Sequence, residues 1–204
     1  MNRDFWNVRY SGEEYIYGKE VNQYLAEKIS KLSKGKILLP ADGEGRNSIY
    51  AAKLGWETYA FDMSDEGKIK AEKLALENKV NINYKVSYAQ EVEYEKDYFD
   101  LLVLVYAHFP ADIKFTCNKK FADCVKIDGH IIFEAFSKKQ LDYQQEYNSG
   151  GPNDVNMLYS TEEIKENFPN FEIIELKEEE INLKEGRFHD GLGSVIRFFG
   201  KRKY

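Results

Sequence analysis

The stretch Ile37-Leu38-Leu39-Pro40-Ala41-Asp42-Gly43-Glu44-Gly45-Arg46-Asn47 constrains the fold of this chain more than any other. An apolar run suited to a buried strand ends at an acid, and two glycines one residue apart follow. Ser48 to Leu54 then reads as a helix. A strand that breaks through a Gly-x-Gly turn into a helix opens a nucleotide-binding α/β unit. The glycines matter because a side chain there would hold the backbone off a ligand or forbid the turn. Short Gly-x-Gly pairs also occur in ordinary turns, so the next strand carries weight. Trp56 to Asp62 is a second strand-like run, and it ends in an acid 20 residues after Asp42. At that spacing a carboxylate accepts hydrogen bonds from both ribose hydroxyls of a bound nucleoside.

The class of nucleoside follows from what the turn lacks. A dinucleotide fingerprint places a third glycine where this chain has Ser48. Pyrophosphate also needs a helix N-terminus free of negative charge, yet Asp42 and Glu44 stand beside it. A nicotinamide-dependent oxidoreductase is therefore disfavoured. A ligand whose near end carries an ammonium and a sulfonium suits these acids, and S-adenosylmethionine is such a ligand.

Elsewhere strands and helices alternate. The expected order is a helix over 19–32, strand 36–41, helix 46–54, strand 56–61 and helix 65–79 with Ile69, Leu74 and Leu76 inward. A strand near 82–87 precedes the continuously apolar run 98–106, the pattern of a strand buried on both faces. A helix over 111–127 and a strand over 129–136 follow. Such alternation specifies a mostly parallel sheet flanked by helices. Residues 142–157 read as a long polar loop, 161–168 as a short helix, and 171–183 with 192–200 as an antiparallel hairpin on the sheet edge. The expected organisation is one domain over 1–204. Its parts are an aromatic arm and helix at 1–34 covering the cofactor site, a cofactor-binding core at 35–136, and a substrate-side loop and hairpin at 137–204.

Composition narrows the partners. With 29 basic and 35 acidic residues the net charge is −6, which argues against non-specific nucleic-acid binding. No apolar run is long enough for a membrane span. Cys117 and Cys124 stand seven apart without metal-ligand company, so they read as reduced thiols and no metal is expected. A cytoplasmic monomer or homodimer acting on a small molecule is the expectation.

On these residues the chain resembles the class I S-adenosylmethionine-dependent methyltransferases, Rossmann-like α/β folds with a seven-stranded sheet and a C-terminal antiparallel hairpin. The nearer likeness is to small bacterial enzymes of the tellurite-resistance and thiopurine-methyltransferase-like branch. Four elements carry it in order: the aromatic arm from Trp6 to Gly18, the loop Ala41 to Asn47, the step His108-Phe109-Pro110, and Glu185-Gly186-Arg187-Phe188-His189-Asp190-Gly191. The resemblance implies S-adenosyl-L-methionine as cofactor and S-adenosyl-L-homocysteine as product. It implies that Gly43 and Gly45 let the backbone approach the methionine part, with Asp42 near the ammonium and Arg46 and Asn47 opening the helix. Asp62 would hold the ribose, and Met63 and Ser64 would adjoin it. Tyr88 and Ala89 would meet the adenine, Val105, Tyr106 and His108 would line the floor, and Tyr17 would close over the top.

His108 is the catalytic candidate, and Tyr17, Tyr143, Arg187 and His189 are the substrate-side candidates. The acceptor is left open among thiol, metalloid oxyanion, amine and hydroxyl. Each residue also has a plain structural use: Asp62 as a helix cap, Tyr88 as a surface aromatic, His108 bonded to backbone, Arg187 and His189 bracing the hairpin turn. Two departures from the family pattern, Tyr88 in place of an adenine-binding acid and Leu39 at an often acidic position, leave a second reading. That reading is a degenerate fold that binds cofactor or a protein partner without turnover.

Overall fold

The computed structural model describes residues 2–204. Seven strands form one sheet: β1 (Lys36–Pro40), β2 (Glu57–Asp62), β3 (Asn83–Val86), β4 (Phe99–Val105), β5 (Val125–Phe136), β6 (Phe171–Lys184) and β7 (Asp190–Arg202). Their order across the sheet is β3-β2-β1-β4-β5-β7-β6. The first five run parallel, β7 is antiparallel to β5, and β6 pairs antiparallel with β7. The helices are α1 (Arg3–Tyr10), α2 (Gln23–Ile29), α3 (Arg46–Lys53), α4 (Asp65–Asn78), α5 (Ala111–Asp123), α6 (Gln140–Tyr147) and α7 (Thr161–Asn167).

Strand alternation sorts the apolar residues into two cores. Leu38, Leu102, Leu104, Ile131 and Phe133 face α5 and α7, where they meet Cys117, Phe121, Ile164 and Phe168. Ile37, Leu39, Leu101, Val103 and Ile132 face the other side, against Tyr24, Leu25 and Ile29 of α2, Ala51 of α3 and Ala71 of α4. Central strands covered on both faces need apolar residues at both parities, so β4 reads as an unbroken run.

Several boundaries and faces differ from the sequence reading. The arm contains a helix, α1, capped by Asn2, whose side chain accepts from the Phe5 N–H at 3.0 Å. The next helix begins only after its cap Asn22 and ends at Ile29. Helix α5 stops at Asp123, and β5 begins at Val125 rather than 129, with an irregularity in its pairing to β4 between Phe99 and Leu101. Residues 142–157 are largely ordered as α6 and a 3-10 turn, Val155–Met157.

In α4 only Leu74 of the three expected core residues is buried, while Ile69 and Leu76 are exposed. The buried face is instead Gly67, Lys70, Ala71, Leu74 and Ala75. Small residues sit there because α4 presses against the Gly-x-Gly turn. A Cβ at Gly67 would lie 2.9 Å from the Gly43 carbonyl oxygen, and one at Gly45 would lie 2.6 Å from the Ala71 Cβ.

Gly45 therefore serves helix packing. It precedes α3 at φ 89°, and Gly45→Ala combines a left-handed backbone with a collision. The expected loss is about 2–4 kcal/mol in urea denaturation. A loss below about 0.5 kcal/mol would contradict this packing role.

Candidate active site

At the C-terminal ends of β1 and β4, where the order of connection reverses, lies a cavity of about 960 Å³. Open α/β sheets bind ligands at such switch points, and this volume is at the upper end of the range of about 300–1,000 Å³ usual for small-molecule sites. The residues that leave the two strands are held in left-handed backbone, Ala41 at φ 53° and Tyr106 at φ 52°. For a ring-bearing side chain that costs on the order of 1–3 kcal/mol and persists only where the surroundings impose it. Here the Tyr106 N–H donates to the Glu134 carbonyl at 2.7 Å, and its own carbonyl accepts from the His108 N–H at 2.9 Å.

Two acids form one wall. Asp62 Oδ2 accepts from the Gly43 N–H at 3.1 Å and Oδ1 from the Ser64 N–H at 2.9 Å, which ties the glycine turn to the end of β2. Asp42 Oδ2 is buried without a hydrogen-bond partner. Burial pushes the Asp42 carboxyl up to about 7 and the Asp62 carboxyl up to about 6, against the hydrogen bonds that pull each down. Gly43, at φ 57°, has no room for a side chain because the Tyr10 hydroxyl occupies that place. Met63, Tyr88, Ala89, Gln90, Val105 and Tyr106 continue the lining. Gly45 and Ser64 do not belong to it. Ser64 caps α4 by accepting from the Gly67 N–H at 3.0 Å and donates its hydroxyl to Asn7 at 2.7 Å.

The arm covers the cavity. Glu44 is the fastener: Oε2 accepts from the Ile16 N–H at 2.8 Å and Oε1 pairs with Lys70 at 2.7 Å. Trp6 stacks on Tyr10, Tyr10 meets Tyr17, and Tyr17 meets His189, with ring centroids 5.4, 6.5 and 4.6 Å apart. Arg9 lies over the Phe5 and Phe188 rings at 4.7 and 4.2 Å and donates to the Tyr17 hydroxyl at 3.1 Å. Beneath the arm runs a buried polar chain. Arg46 pairs with Glu185 at 2.8 Å, and Asn22 Nδ2 donates to Glu185 at 2.9 Å and to Glu134 at 2.6 Å. Arg197 pairs with Glu134 at 2.5 Å and with Glu179 at 2.6 Å. Asn47 Oδ1 accepts from the Asn22 N–H at 3.1 Å.

The candidate residues at the acceptor end separate. His108 Nδ1 is 2.9 Å from the Met157 carbonyl, and Nε2 accepts from the Phe136 N–H at 3.2 Å. Both ring nitrogens are committed to backbone, and burial lowers the ring to about 4. His108 lines the cavity but has no lone pair to offer a substrate proton, so a base role at this position is not supported. Arg187 is exposed on the outer side of the turn and does not line the cavity. Tyr143 is turned to Glu180 on β6 and does not line it either. On α6 the lining residues are Gln144 and Gln145, one helical step round from Tyr143. His189 and Tyr17 do line it.

Trp6, Arg9 and Tyr10 belong to the arm expected to cover the site, but Asn22, Glu134, Phe136 and Arg197 are not singled out in the sequence. One signal was available for two of them: Glu134 and Arg197 interrupt the apolar runs of β5 and β7 and are register partners. Among the described residues no helix is long and apolar enough to cross a membrane. Among the same residues no cluster of His, Cys, Asp and Glu gathers as a metal site.

Known proteins offer a comparison with this geometry. Residues 37–129 match the family model of a methyltransferase domain. Curated protein sequences give no match. Among solved structures, the chain is similar to one described for the conversion of a disulfide bond into a thioacetal group during echinomycin biosynthesis. That likeness has 15% identity, a TM-score of 0.78, and coverage of 98% of this chain and 91% of the other. TehB from Haemophilus influenzae is similar at 14% identity and TM-score 0.72, over 98% of this chain and 67% of that one. A S-adenosylmethionine-dependent methyltransferase from Methanosarcina mazei is similar at 15% identity and TM-score 0.70, over 90% and 99%.

The buried chain makes a test of its own. Glu134 is fully buried, and Arg197→Met removes the cation that neutralises it. The expected cost is about 3–5 kcal/mol of unfolding free energy in urea. The double variant with Glu134→Gln recovers part of it; a loss in the double variant equal to the sum of the two single losses would mean the pair is not coupled.

Proposed function

We propose that this chain, which has the class I S-adenosylmethionine-dependent methyltransferase fold, transfers the methyl group of that cofactor to a small-molecule acceptor. The observation that carries the reading is Asp42 at the glycine turn, whose Oδ2 is buried without a hydrogen-bond partner, with Asp62 beside it. A buried carboxylate oxygen lacking a partner is costly unless a ligand completes it, and the ammonium of the methionine moiety is the complement Oδ2 lacks. Asp62 keeps lone pairs beyond its two backbone hydrogen bonds, and these suit the ribose hydroxyls. Met63, Tyr88 and Ala89 would border the adenine, and Val105 and Tyr106 would form the floor.

When bound, the cofactor supplies an electrophilic methyl group on positive sulfur. The chain's contribution is to hold a nucleophile within roughly 3–3.5 Å of that carbon and to exclude water. The ring-rich cover of Trp6, Tyr10, Tyr17 and Phe188 suits the second task. A space closed by the arm on one side and the α6 segment on the other suits a small acceptor better than a polymer. The net charge of −6 points the same way.

Calorimetric titration with S-adenosylhomocysteine tests the reading. Binding in the micromolar range is expected, weakened about 100-fold in Asp62→Ala, with Asp62→Asn as the milder variant. Absence of binding at millimolar ligand overturns it. The pH dependence has a defined sign. Ligand donors favour the ionised carboxylates, whereas burial favours the protonated forms. Affinity therefore rises as the pH passes from about 5.5 to about 8, by up to about tenfold per unit near each titration. Asp42→Asn should remove the step near pH 7, and a flat profile in the parent protein would contradict the assignment.

A further inference from the structure

We infer that His189 is the general base of the acceptor site, oriented by Glu185, and that the acceptor is an aromatic hydroxyl compound. The inference rests on the methyltransferase reading and adds to it the proton transfer and the class of acceptor.

The case begins with the turn between β6 and β7. The Glu185 N–H donates to the His189 carbonyl at 2.8 Å, and the Arg187 N–H donates to Ile16 at 2.9 Å, so the turn is clamped internally and against the arm. Gly186, at φ 76°, permits this because any side chain there would collide with the backbone at Ile16. The clamp sets His189 Nδ1 at 3.6 Å from Glu185 Oε2. That is beyond a formed hydrogen bond, and catalytic hydrogen bonds commonly tighten only when substrate is seated. Nδ1 is buried with no other partner, so its proton has one acceptor to turn to. That choice leaves the lone pair on Nε2, which makes no hydrogen bond within the protein, in a ring that lines the cavity. His108, the other cavity histidine, spends both nitrogens on backbone.

Every charged or titratable group packed on His189 bears on its role. Arg9 approaches from α1, Tyr17 from the arm, Arg46 from α3, Tyr106 and His108 from the segment after β4, and Glu185 from the turn. Burial works to raise Glu185, but His189 and Arg46 outweigh it and hold the carboxyl down at about 2, so it stays an anion. For His189 the same burial, with the two arginines, outweighs the pull of Glu185 and keeps the ring below the usual histidine value. A neutral imidazole held by a fixed carboxylate is the form that accepts a proton.

The surroundings select the acceptor. A thiolate or an oxyanion arrives without a proton to give up. An amine attacks as the free base, and the methylated ammonium it becomes would form beside the Arg9 and Arg46 cations. A hydroxyl needs the base, and the walls of Trp6, Tyr17, Tyr106, Phe136 and Phe188 suit an aromatic ring. In the step, the acceptor's O–H bond breaks as its O–CH3 bond forms, and the proton passes to Nε2. The sulfur–methyl bonding pair stays on sulfur, which leaves as a neutral thioether. The imidazolium is left facing Glu185.

Two measurements test this on the full chain with S-adenosylhomocysteine or S-adenosylmethionine. Histidine 15N NMR of the product complex reads the tautomer directly. A neutral His189 protonated on Nδ1 is expected, and protonation on Nε2 overturns the proposal. Turnover is then assayed with catechol and 8-hydroxyquinoline against thiophenol and selenite. Methylation of a hydroxyl probe is expected, with kcat lowered about 100-fold or more in His189→Asn and the homocysteine-product affinity within about twofold of the parent. The kcat/KM profile should fall on the acid side at a pH below the usual histidine value, and Glu185→Gln should move that limb lower still, because the anion that favours imidazolium is gone. Methylation of thiophenol or selenite alone overturns the proposal, as does a His189→Asn variant with unaltered turnover and pH profile. Calorimetry on the same samples separates the failures: lost product binding in the parent protein refutes the methyltransferase reading, whereas intact binding with the wrong tautomer refutes only the base.

Discussion

The buried ionic chain from Arg46 through Glu185, Asn22 and Glu134 to Arg197 is the constraint on which the rest of this structure depends. It joins four parts of the chain that are far apart in sequence: the arm, the helix after the glycine turn, the fifth strand and the terminal hairpin. Charges this deep are tolerated only when each is paired and its remaining polar atoms are satisfied. Asn22 does this for two glutamates at once and also caps α2. The arm therefore has one admissible seat, because any other would strand a carboxylate in an apolar interior.

Seating the arm has electrostatic consequences for the cavity. Aromatic rings replace water over the strand ends, and low polarity raises the cost of any unpaired charge. Asp42 and Asp62 consequently hold their protons to far higher pH than exposed acids do. The left-handed backbone at Ala41 and Tyr106 lies on the same rim. A buried carboxylate oxygen without a partner and an imposed backbone are both unfavourable in the protein alone, and they coincide at the switch point of the sheet, where open α/β sheets bind ligands.

Two buried histidines illustrate how context decides chemistry. His108 bridges the segment after β4 to the end of β5 and to the 3-10 turn, so its ring acts as a strut. His189 faces a carboxylate on one nitrogen and the cavity with the rest of the ring. Neither use is written in the residue type or in its neighbours along the chain. Arg187 is the complementary case, since it sits two residues from His189 yet faces the other way on the turn.

What the sequence determined by itself was local or periodic. The apolar runs, the Gly-x-Gly turn and the acid at Asp62 establish a parallel α/β sheet whose first loop borders the cavity, because strand burial and turn stereochemistry depend on near neighbours. The hairpin was legible for the same reason, through alternation on a sheet with one covered face. Tertiary structure decided the rest. Ile69 and Leu76 look like core residues by type, but close approach to the turn reserves that face of α4 for Gly67 and Ala71. Gly45 resembles a ligand-contact glycine and instead makes room for a helix. The pairing of Glu134 with Arg197 and of Glu185 with Arg46, and the choice between His108 and His189, depend on contacts between residues tens to more than a hundred positions apart. One-dimensional patterns do not encode such contacts, because they exist only once the sheet has brought its distant edges under a single arm.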